Sequence, residues 1–201
     1  EKKKDFLLNG DFKGKILKSN FKSDFNLNEN SLKIDNSFFR SKDLSFSTNG
    51  EFKFKPFFSQ STITKLKDLN PEIFNFIDLN KVLNFKTFIR KLNGSNVFLY
   101  KAKGFKTGFI KNLNLSVNFA YGRMTFSKKI YLSGGITNCT GNLNLIEDNP
   151  ILNFKCVLNS DDKKKFLKNF SINSKKKGEA INLNVQGNLN ILNNKINFKT
   201  I

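Results

Sequence analysis

The amino-acid sequence predicts a mainly β protein. It indicates a long, curved antiparallel sheet whose apolar face either forms a groove or packs on a second sheet as a sandwich. Residues 181–191 alternate apolar and polar side chains almost without a break, as a half-buried strand does. The same alternation recurs on both arms of successive hairpins. Only two stretches, near residues 71–92 and near residues 161–170, show helical spacing.

The first 69 residues are predicted to form short strands. Phe21, Phe25 and Leu27 fall on one face, because alternate residues of a strand point the same way. A turn over residues 28–31 then leads into the next strand.

A hairpin is predicted around the Asn49-Gly50 pair. A two-residue turn there would place Phe46 and Phe52 on opposite faces of the sheet. A three-residue loop over residues 48–50 aligns the two phenylalanines and puts Gly50 where a left-handed residue is wanted. We therefore predict the three-residue loop.

Residues 70–94 contain the long helical pattern. Asn70 suits an N-cap and Pro71 the first turn, and apolar residues then recur at intervals of three and four. The phase slips near residues 78–80, which predicts a kink or two short helices, and Gly94 is predicted to end the segment. We expect these residues to cap the sheet; a helix on a membrane surface is the alternative.

A β-meander is predicted over residues 97–201, interrupted by the short helix. Its two cysteines belong to one hairpin, residues 135–159. A four-residue loop would set Cys139 directly across from Cys156, where a disulfide is feasible. A loop of another length puts them one residue pair out of register. We predict the second arrangement, with two unbonded and buried thiols.

The chain is predicted to close with the short helix and a last hairpin. Ser160 or Asp161 should cap the helix, and its buried stripe should consist of Phe166, Leu167 and Phe170. A loop over residues 174–178 follows. A two-residue turn at Asn193-Asn194 then aligns Ile191 with Ile196 and Leu189 with Phe198.

Composition argues against an enzyme. The 201 residues contain no histidine, which removes the commonest general base and metal ligand, and two cysteines are too few for a zinc site. No catalytic motif, phosphate loop or dinucleotide motif is present, so we expect no cofactor and no metal.

The net charge and the hydropathy of the chain also limit the classes of partner that we expect. The net charge is +19, but the lysines form no basic stripe and an AT-biased genome explains their number, so no nucleic-acid partner is expected. No apolar run reaches the roughly 18 residues of a spanning helix. The chain opens with Glu1, and we expect one domain of residues 1–201 cut from a longer protein, with any membrane anchor outside it.

The order of elements over residues 62–201 resembles the C-terminal region of AsmA-like proteins. A helical segment leads to the Leu-Asn-Gly step at residues 92–94 and an amphipathic strand. A strand-Gly-Arg-strand segment follows at residues 121–124. A Ser-Gly-Gly turn at residues 133–135 then leads to a Gly-polar-Leu-polar strand at residues 141–144.

This resemblance implies a lipid-handling function. AsmA-like proteins, related to TamB and to bridge-like lipid transfer proteins, are anchored in the bacterial inner membrane and extend into the periplasm. Their sheets form apolar grooves that are implicated in moving phospholipids toward the outer membrane and in its integrity. A phospholipid partner is therefore expected, on a groove wall that is long, uniform and free of charge.

The predicted groove wall is the set of apolar alternates in the meander. These are Leu113, Leu115, Val117, Phe119, Leu143, Leu145, Ile181, Leu183, Val185, Leu189 and Ile191. The alternative function is a β-sandwich scaffold or outer-membrane assembly factor that acts through protein partners.

Overall fold

The computed structural model describes residues 7–16, 18–69, 83–84, 86–102, 109–173 and 179–201. Two short helices accompany twelve strands in this part of the chain. The strands are β1 (Leu7–Ile16), β2 (Ser19–Asn28), β3 (Ser31–Arg40), β4 (Leu44–Lys53), β5 (Ser59–Leu69), β6 (Asn93–Lys101), β7 (Ile110–Ala120), β8 (Arg123–Leu132), β9 (Gly135–Asn144), β10 (Ile151–Ser160), β11 (Ile181–Asn190) and β12 (Lys195–Thr200). The helices are α1 (Lys86–Ile89) and α2 (Lys163–Lys168).

All twelve strands belong to one open sheet, in which they follow one another in chain order. The prediction of a mainly β fold is confirmed. The sandwich does not occur among the described residues, since every described strand lies in the same sheet. β1 and β12 are its two edges.

The sheet is mixed, so the prediction of a purely antiparallel sheet was wrong at one pair. β5 and β6 run parallel, with Ile63 opposite Val97. A parallel pair requires a crossover connection, and residues 70–92 supply it. Of the helix predicted near residues 71–92, residues 70–82 and 85 lie outside the described part of the chain, and its described end, α1, is helical.

The predicted hairpin at residues 48–50 was wrong. β4 runs straight through this stretch, pairing Thr48 with Thr64 and Gly50 with Thr62 of β5. Glycine is needed here because β5 approaches closely: a Cβ on Gly50 would lie 2.8 Å from the carbonyl oxygen of Ser61. The predicted turn at residues 28–31 is present, and the side chain of Asn28 accepts hydrogen bonds from two backbone N–H groups within it.

Gly94 does not end the helical segment. α1 stops at Ile89, and Gly94 is already the second residue of β6, with φ of +138°. A Cβ at this position would lie 1.8 Å from the carbonyl oxygen of Gln60. The parallel pairing of β5 with β6 therefore requires glycine at residue 94.

Two features of α2, its N-cap and its buried stripe, differ from prediction. The N-cap of α2 is Asp162, whose carboxylate accepts from the backbone N–H of Lys165 at 3.0 Å, because the helix begins later than expected. In the predicted stripe Phe166 is buried and Leu167 half-buried, whereas Phe170 is exposed. Residues 174–178 lie outside the described part of the chain.

The closing hairpin has a four-residue connection, residues 191–194, instead of a two-residue turn. Leu189 therefore pairs with Ile196, and Gly187 with Phe198. The side chain of Asn190 accepts from the backbone N–H of Leu192 at 2.9 Å. The connection therefore begins two residues before the predicted Asn193-Asn194 turn.

Candidate functional site

One side of the sheet, called the inner face here, carries apolar side chains in rows that cross the strands. In β7–β12 the cross-strand register defines four rows. The first contains Phe119, Met124, Leu143, Leu152, Leu189 and Ile196; the second Val117, Phe126, Gly141, Phe154, Gly187 and Phe198; the third Leu115, Lys128, Cys139, Cys156 and Val185; the fourth Leu113, Ile130, Thr137, Leu158 and Leu183.

The structure places nine of the eleven predicted residues in strands on this face, eight of them in the rows and Ile181 at the start of β11. Their polar neighbours point to the opposite side. Asn182 and Asn184 are exposed, whereas Leu183 and Val185 are half-buried. The predicted strand register of β11 is therefore the observed one.

Leu145 and Ile191 were predicted as groove wall but lie beyond the strand ends. With Leu143 they form a buried cluster. Leu83 and Ile89, from the helical segment, pack against this cluster. The cluster therefore closes one end of the inner face, and its three members are shielded from any ligand on the open part.

Hydrogen bonds hold α1 and the turn after it at that end. The guanidinium of Arg90 donates to the carbonyl oxygen of Ile146 at 2.8 Å, and the ammonium of Lys86 to that of Glu147 at 2.8 Å. The backbone N–H of Tyr121 donates to the carbonyl oxygen of Leu92 at 2.9 Å. Tyr121 itself is an exposed turn residue and does not extend the face of β7.

α2 covers the opposite end. Phe166 is buried against Gly135, whose Cβ position would lie 3.3 Å from the ring. The side chain of Asn169 donates to the carbonyl oxygen of Ser133 at 2.6 Å. The four rows of β7–β11 thus lie between two helical caps.

Phenylalanine rings fill the space above the glycines of the second row. Built Cβ atoms would lie 2.4 Å from the ring of Phe126 at Gly141 and 2.8 Å from that of Phe154 at Gly187. The same pairing recurs at the other edge, where Phe25 covers Gly10. Glycine weakens a strand by itself, and the crossing ring replaces the packing that it lacks.

The inner face continues across the first five strands, where it is again rich in phenylalanine. Phe39 and Phe46 stack with ring centroids 5.0 Å apart. Further apolar members include Leu8, Phe12, Phe21, Phe25, Leu27, Leu32, Ile34, Leu44, Phe52 and Leu66.

A polar band lies between the two apolar parts, but it is incomplete, because Leu66 of β5 and Tyr100 of β6 connect Phe46 with Leu113 beside it. The hydroxyls of Thr48 and Thr64 are 2.9 Å apart, and the hydroxyl of Thr62 donates to the side-chain oxygen of Asn96 at 2.8 Å. Asn96 is buried, and its side-chain nitrogen has no hydrogen-bond partner among the described residues. The inner face is therefore not uniform.

The prediction of unbonded cysteines was wrong. Cys139 and Cys156 lie directly opposite each other in β9 and β10, and a disulfide joins them. Their register is the one that a four-residue loop would give, although regular pairing stops at Asn144 and Ile151. The bond crosses the third row of the inner face.

A lysine occupies the same row, contrary to the expected charge-free wall. Lys128 lies between Leu115 of β7 and Cys139 of β9, and its side chain is half-buried. Burial lowers the pKa of its ammonium group. The alternation of Met124, Phe126 and Ile130 places residue 128 on the apolar face, and that signal could have identified it from the sequence.

Beyond the inner face, the described residues contain neither a metal site nor a membrane-spanning helix. They contain no group of three or more His, Cys, Asp or Glu side chains arranged to hold a metal ion. Within the same residues, no helix is long and apolar enough to cross a membrane.

The fold and the inner face define a protein with one open sheet that is apolar on one side and rich in asparagine and lysine on the other. No protein-family model, curated protein or solved structure matches the chain.

Proposed function

We propose that the protein is a non-enzymatic, AsmA-like domain that binds phospholipid acyl chains on its inner face. In this proposal it conducts them between the inner and outer bacterial membranes and so supports outer-membrane integrity. One observation carries the proposal: the apolar inner face extends over the twelve strands, interrupted by the incomplete polar band of β4–β6, and the described residues supply no second sheet to cover it.

The energetics of the inner face favour an apolar occupant. Apolar surface exposed to water costs about 25 cal/mol per Å², and large exposed apolar patches mark binding sites. Phe12, Ile196 and Phe198 are 50% exposed or more. Acyl chains suit such rows because they need no directional contacts.

The dimensions of the sheet also support a conduit. Twelve strands give eleven spacings of about 4.8 Å, or about 53 Å across the sheet. The hydrocarbon core of a bilayer is only about 30 Å thick. The inner face is therefore wider across its strands than the hydrocarbon core of one bilayer is thick.

The proposed location is the periplasm, with an inner-membrane anchor outside this segment. The Cys139–Cys156 disulfide supports an oxidising compartment, since disulfides persist in the periplasm and are rare in the cytosol.

Site-specific photocrosslinking tests this function directly. A photoreactive residue at Val117, on the inner face, should crosslink to phospholipid in cells, and one at Asn118, the next residue on the opposite face, should not. Native mass spectrometry of gently purified protein should recover phospholipid. Equal crosslinking at both positions, or no recovered lipid, would refute the proposal.

A second candidate is an outer-membrane assembly factor that acts through protein partners. Exposed apolar side chains of β1 favour it, because exposed apolar patches mark protein-interaction sites. Leu7 is 61% exposed and Phe12 is 56% exposed. Protein crosslinks from Phe12, without lipid crosslinks from Val117, would make this candidate the better one.

A further inference from the structure

Lys128 differs from every other charged residue in the regularly paired positions of the described strands. In β1–β12 the other lysines, arginines, aspartates and glutamates at those positions point away from the inner face. Lys129, its neighbour, points to the opposite side, opposite Asn138 of β9. A single positive charge thus lies in an otherwise uncharged set of rows.

Within the described residues, Lys128 also has no counterion. None of the ion pairs and hydrogen bonds among the described residues involves its side chain. Its cross-strand neighbours are Leu115 and Cys139, and Cys139 is bonded to Cys156. None of these side chains carries an anionic oxygen that could accept a hydrogen bond from the ammonium group.

A half-buried ammonium group without a partner is unfavourable, because burial removes water without supplying a counterion. An anionic oxygen placed beside it would supply that counterion and form a charge-assisted hydrogen bond. The surrounding rows would accept the apolar part of the same molecule. A ligand that supplies the counterion and also fills the apolar rows has an anionic head group and an acyl chain.

Asn96 adds a second donor on the same face. Its side-chain nitrogen is buried and has no hydrogen-bond partner in the part of the chain that the structure describes. It lies two strands and one row from Lys128, which is about 10 Å across the strands and about 7 Å along them. A diacyl lipid carries ester carbonyl oxygens beside its phosphate, so its head region offers acceptors to both donors.

We propose that Lys128 binds the anionic oxygen of a lipid head group, a phosphate or a carboxylate, so that the inner face selects acyl lipids of net negative charge. This inference rests on the proposed function and names its ligand class.

The test compares three variants with the wild-type protein. Lys128→Met removes the charge and keeps the length, and Lys128→Arg keeps the charge. Lys129→Met is the matched control, because it removes the same charge from the opposite face. Each protein is incubated with vesicles of phosphatidylglycerol and phosphatidylcholine in equal amounts with matched acyl chains. Bound lipid is then extracted and measured by mass spectrometry.

We expect the wild-type protein, Lys128→Arg and Lys129→Met to prefer phosphatidylglycerol. Lys128→Met should lower the ratio of the two bound lipids roughly tenfold, the size of one charge-assisted hydrogen bond. A second arm compares oleate with its methyl ester. Selection only in the vesicle arm assigns a phosphate ligand, and selection only in the oleate arm assigns a carboxylate.

The inference and the proposed function fail in different ways. If the wild-type protein binds lipid but selects no anionic head group, or if Lys128→Met keeps the preference, the inference is wrong and the lipid function remains. An equal loss in Lys129→Met would assign the preference to general surface charge and overturn the inference. If the wild-type protein binds no lipid at all, both are refuted.

Discussion

Cys139 and Cys156 are joined across β9 and β10, with their Cα atoms 4.1 Å apart. The bond links two strands of the same hairpin at the middle of the inner face. It therefore braces the wall beside Lys128, and it closes a short segment with a sequence separation of 17 residues.

Removing this bond should lower stability without changing the register. For a loop of this length, cross-linking contributes about 3 kcal/mol by restricting the unfolded chain. We expect the double variant Cys139→Ala/Cys156→Ala, and the reduced wild-type protein, to unfold at lower urea concentration than the oxidised protein. An unchanged midpoint, with free thiols in the oxidised protein, would show that the bond does not form.

Lys128→Met should raise the thermal stability of the lipid-free protein at pH 7, because it removes an unpaired, half-buried charge. Lys129→Met should change stability by no more than about 1 kcal/mol, because its exposed ammonium contacts the ring of Tyr131, 5.1 Å from the ring centroid. Thermal unfolding of both variants gives the comparison. A loss of stability in Lys128→Met equal to that of an ordinary core substitution would contradict the account.

The effect of Lys128 should also depend on pH. Burial lowers the pKa of the folded ammonium below its ordinary value of 10.5. Between the lowered and the ordinary pKa the unfolded chain binds more protons than the folded one, so stability rises with pH. The advantage of Lys128→Met should therefore shrink as the pH approaches 10.5. A constant difference across the alkaline range would show that the charge is not buried.

Two glycines differ in what an added methyl group would meet. At Gly141 it would meet backbone, and at Gly10 the end of a side chain. A Cβ on Gly141 would lie 2.5 Å from the carbonyl oxygen of Asn153, and the central strands cannot move apart to admit it. We expect Gly141→Ala to cost about 1–3 kcal/mol, as overpacking does.

Gly10→Ala is the matched control for that substitution. Gly10 lies in the edge strand β1, and there the added Cβ meets only the far end of Phe25, a ring that can turn away. Its effect should stay below about 1 kcal/mol, because the smaller loss of chain entropy on folding offsets the contact. Equal losses from urea unfolding of the two variants would contradict the distinction.

Leu183→Asp tests whether the inner face is open to water. Its row neighbour Leu158 offers no counterion, whereas Asp at position 115 would face Lys128 and pair with it. On an open face the new carboxylate stays partly hydrated. The loss of stability should therefore be about 1–2 kcal/mol, compared with the 3–5 kcal/mol of an unpaired charge in a closed core.

Lipid binding by Leu183→Asp should fall sharply. Asn184→Asp is the control, since it adds the same charge on the exposed opposite face. Stability and bound lipid are measured on the same samples. Unfolding of Leu183→Asp together with unchanged lipid content in its folded fraction would contradict both expectations.

The sequence predicted the inner face well, because a period of two assigns each strand residue to a side without reference to its partners. Leu113, Leu183 and Val185 follow directly from this alternation. The same alternation places Lys128 on the apolar face, between Phe126 and Ile130, whereas the even spread of lysines along the chain does not distinguish it.

Connections were predicted less well, because their geometry depends on contacts that are distant in sequence. The Asn49-Gly50 pair has the composition of a turn, yet Gly50 is required by the close approach of β5. The asparagine pair at residues 193–194 likewise indicated a tight turn. Burial of Ile191 against Leu143 and Leu145 instead pulls that residue out of the strand.

The cysteine pairing also could not be decided locally. One residue of slip would have separated Cys139 from Cys156. The observed register aligns Leu143 with Leu152, and Leu152 packs against the buried cluster that Leu143 forms with Leu145 and Ile191. The register that brings the two sulfur atoms together is thus also the one that allows packing with residues outside the hairpin.

The strand order has a consequence for how such a protein can change in size. Because strands follow one another in chain order, their contacts run between neighbours in the array, and stability is approximately a sum of nearest-neighbour terms, as in repeat proteins. Each added hairpin would lengthen the apolar rows by two strand spacings without rebuilding the rest. The reach of the path is thus an adjustable quantity, set by the number of hairpins.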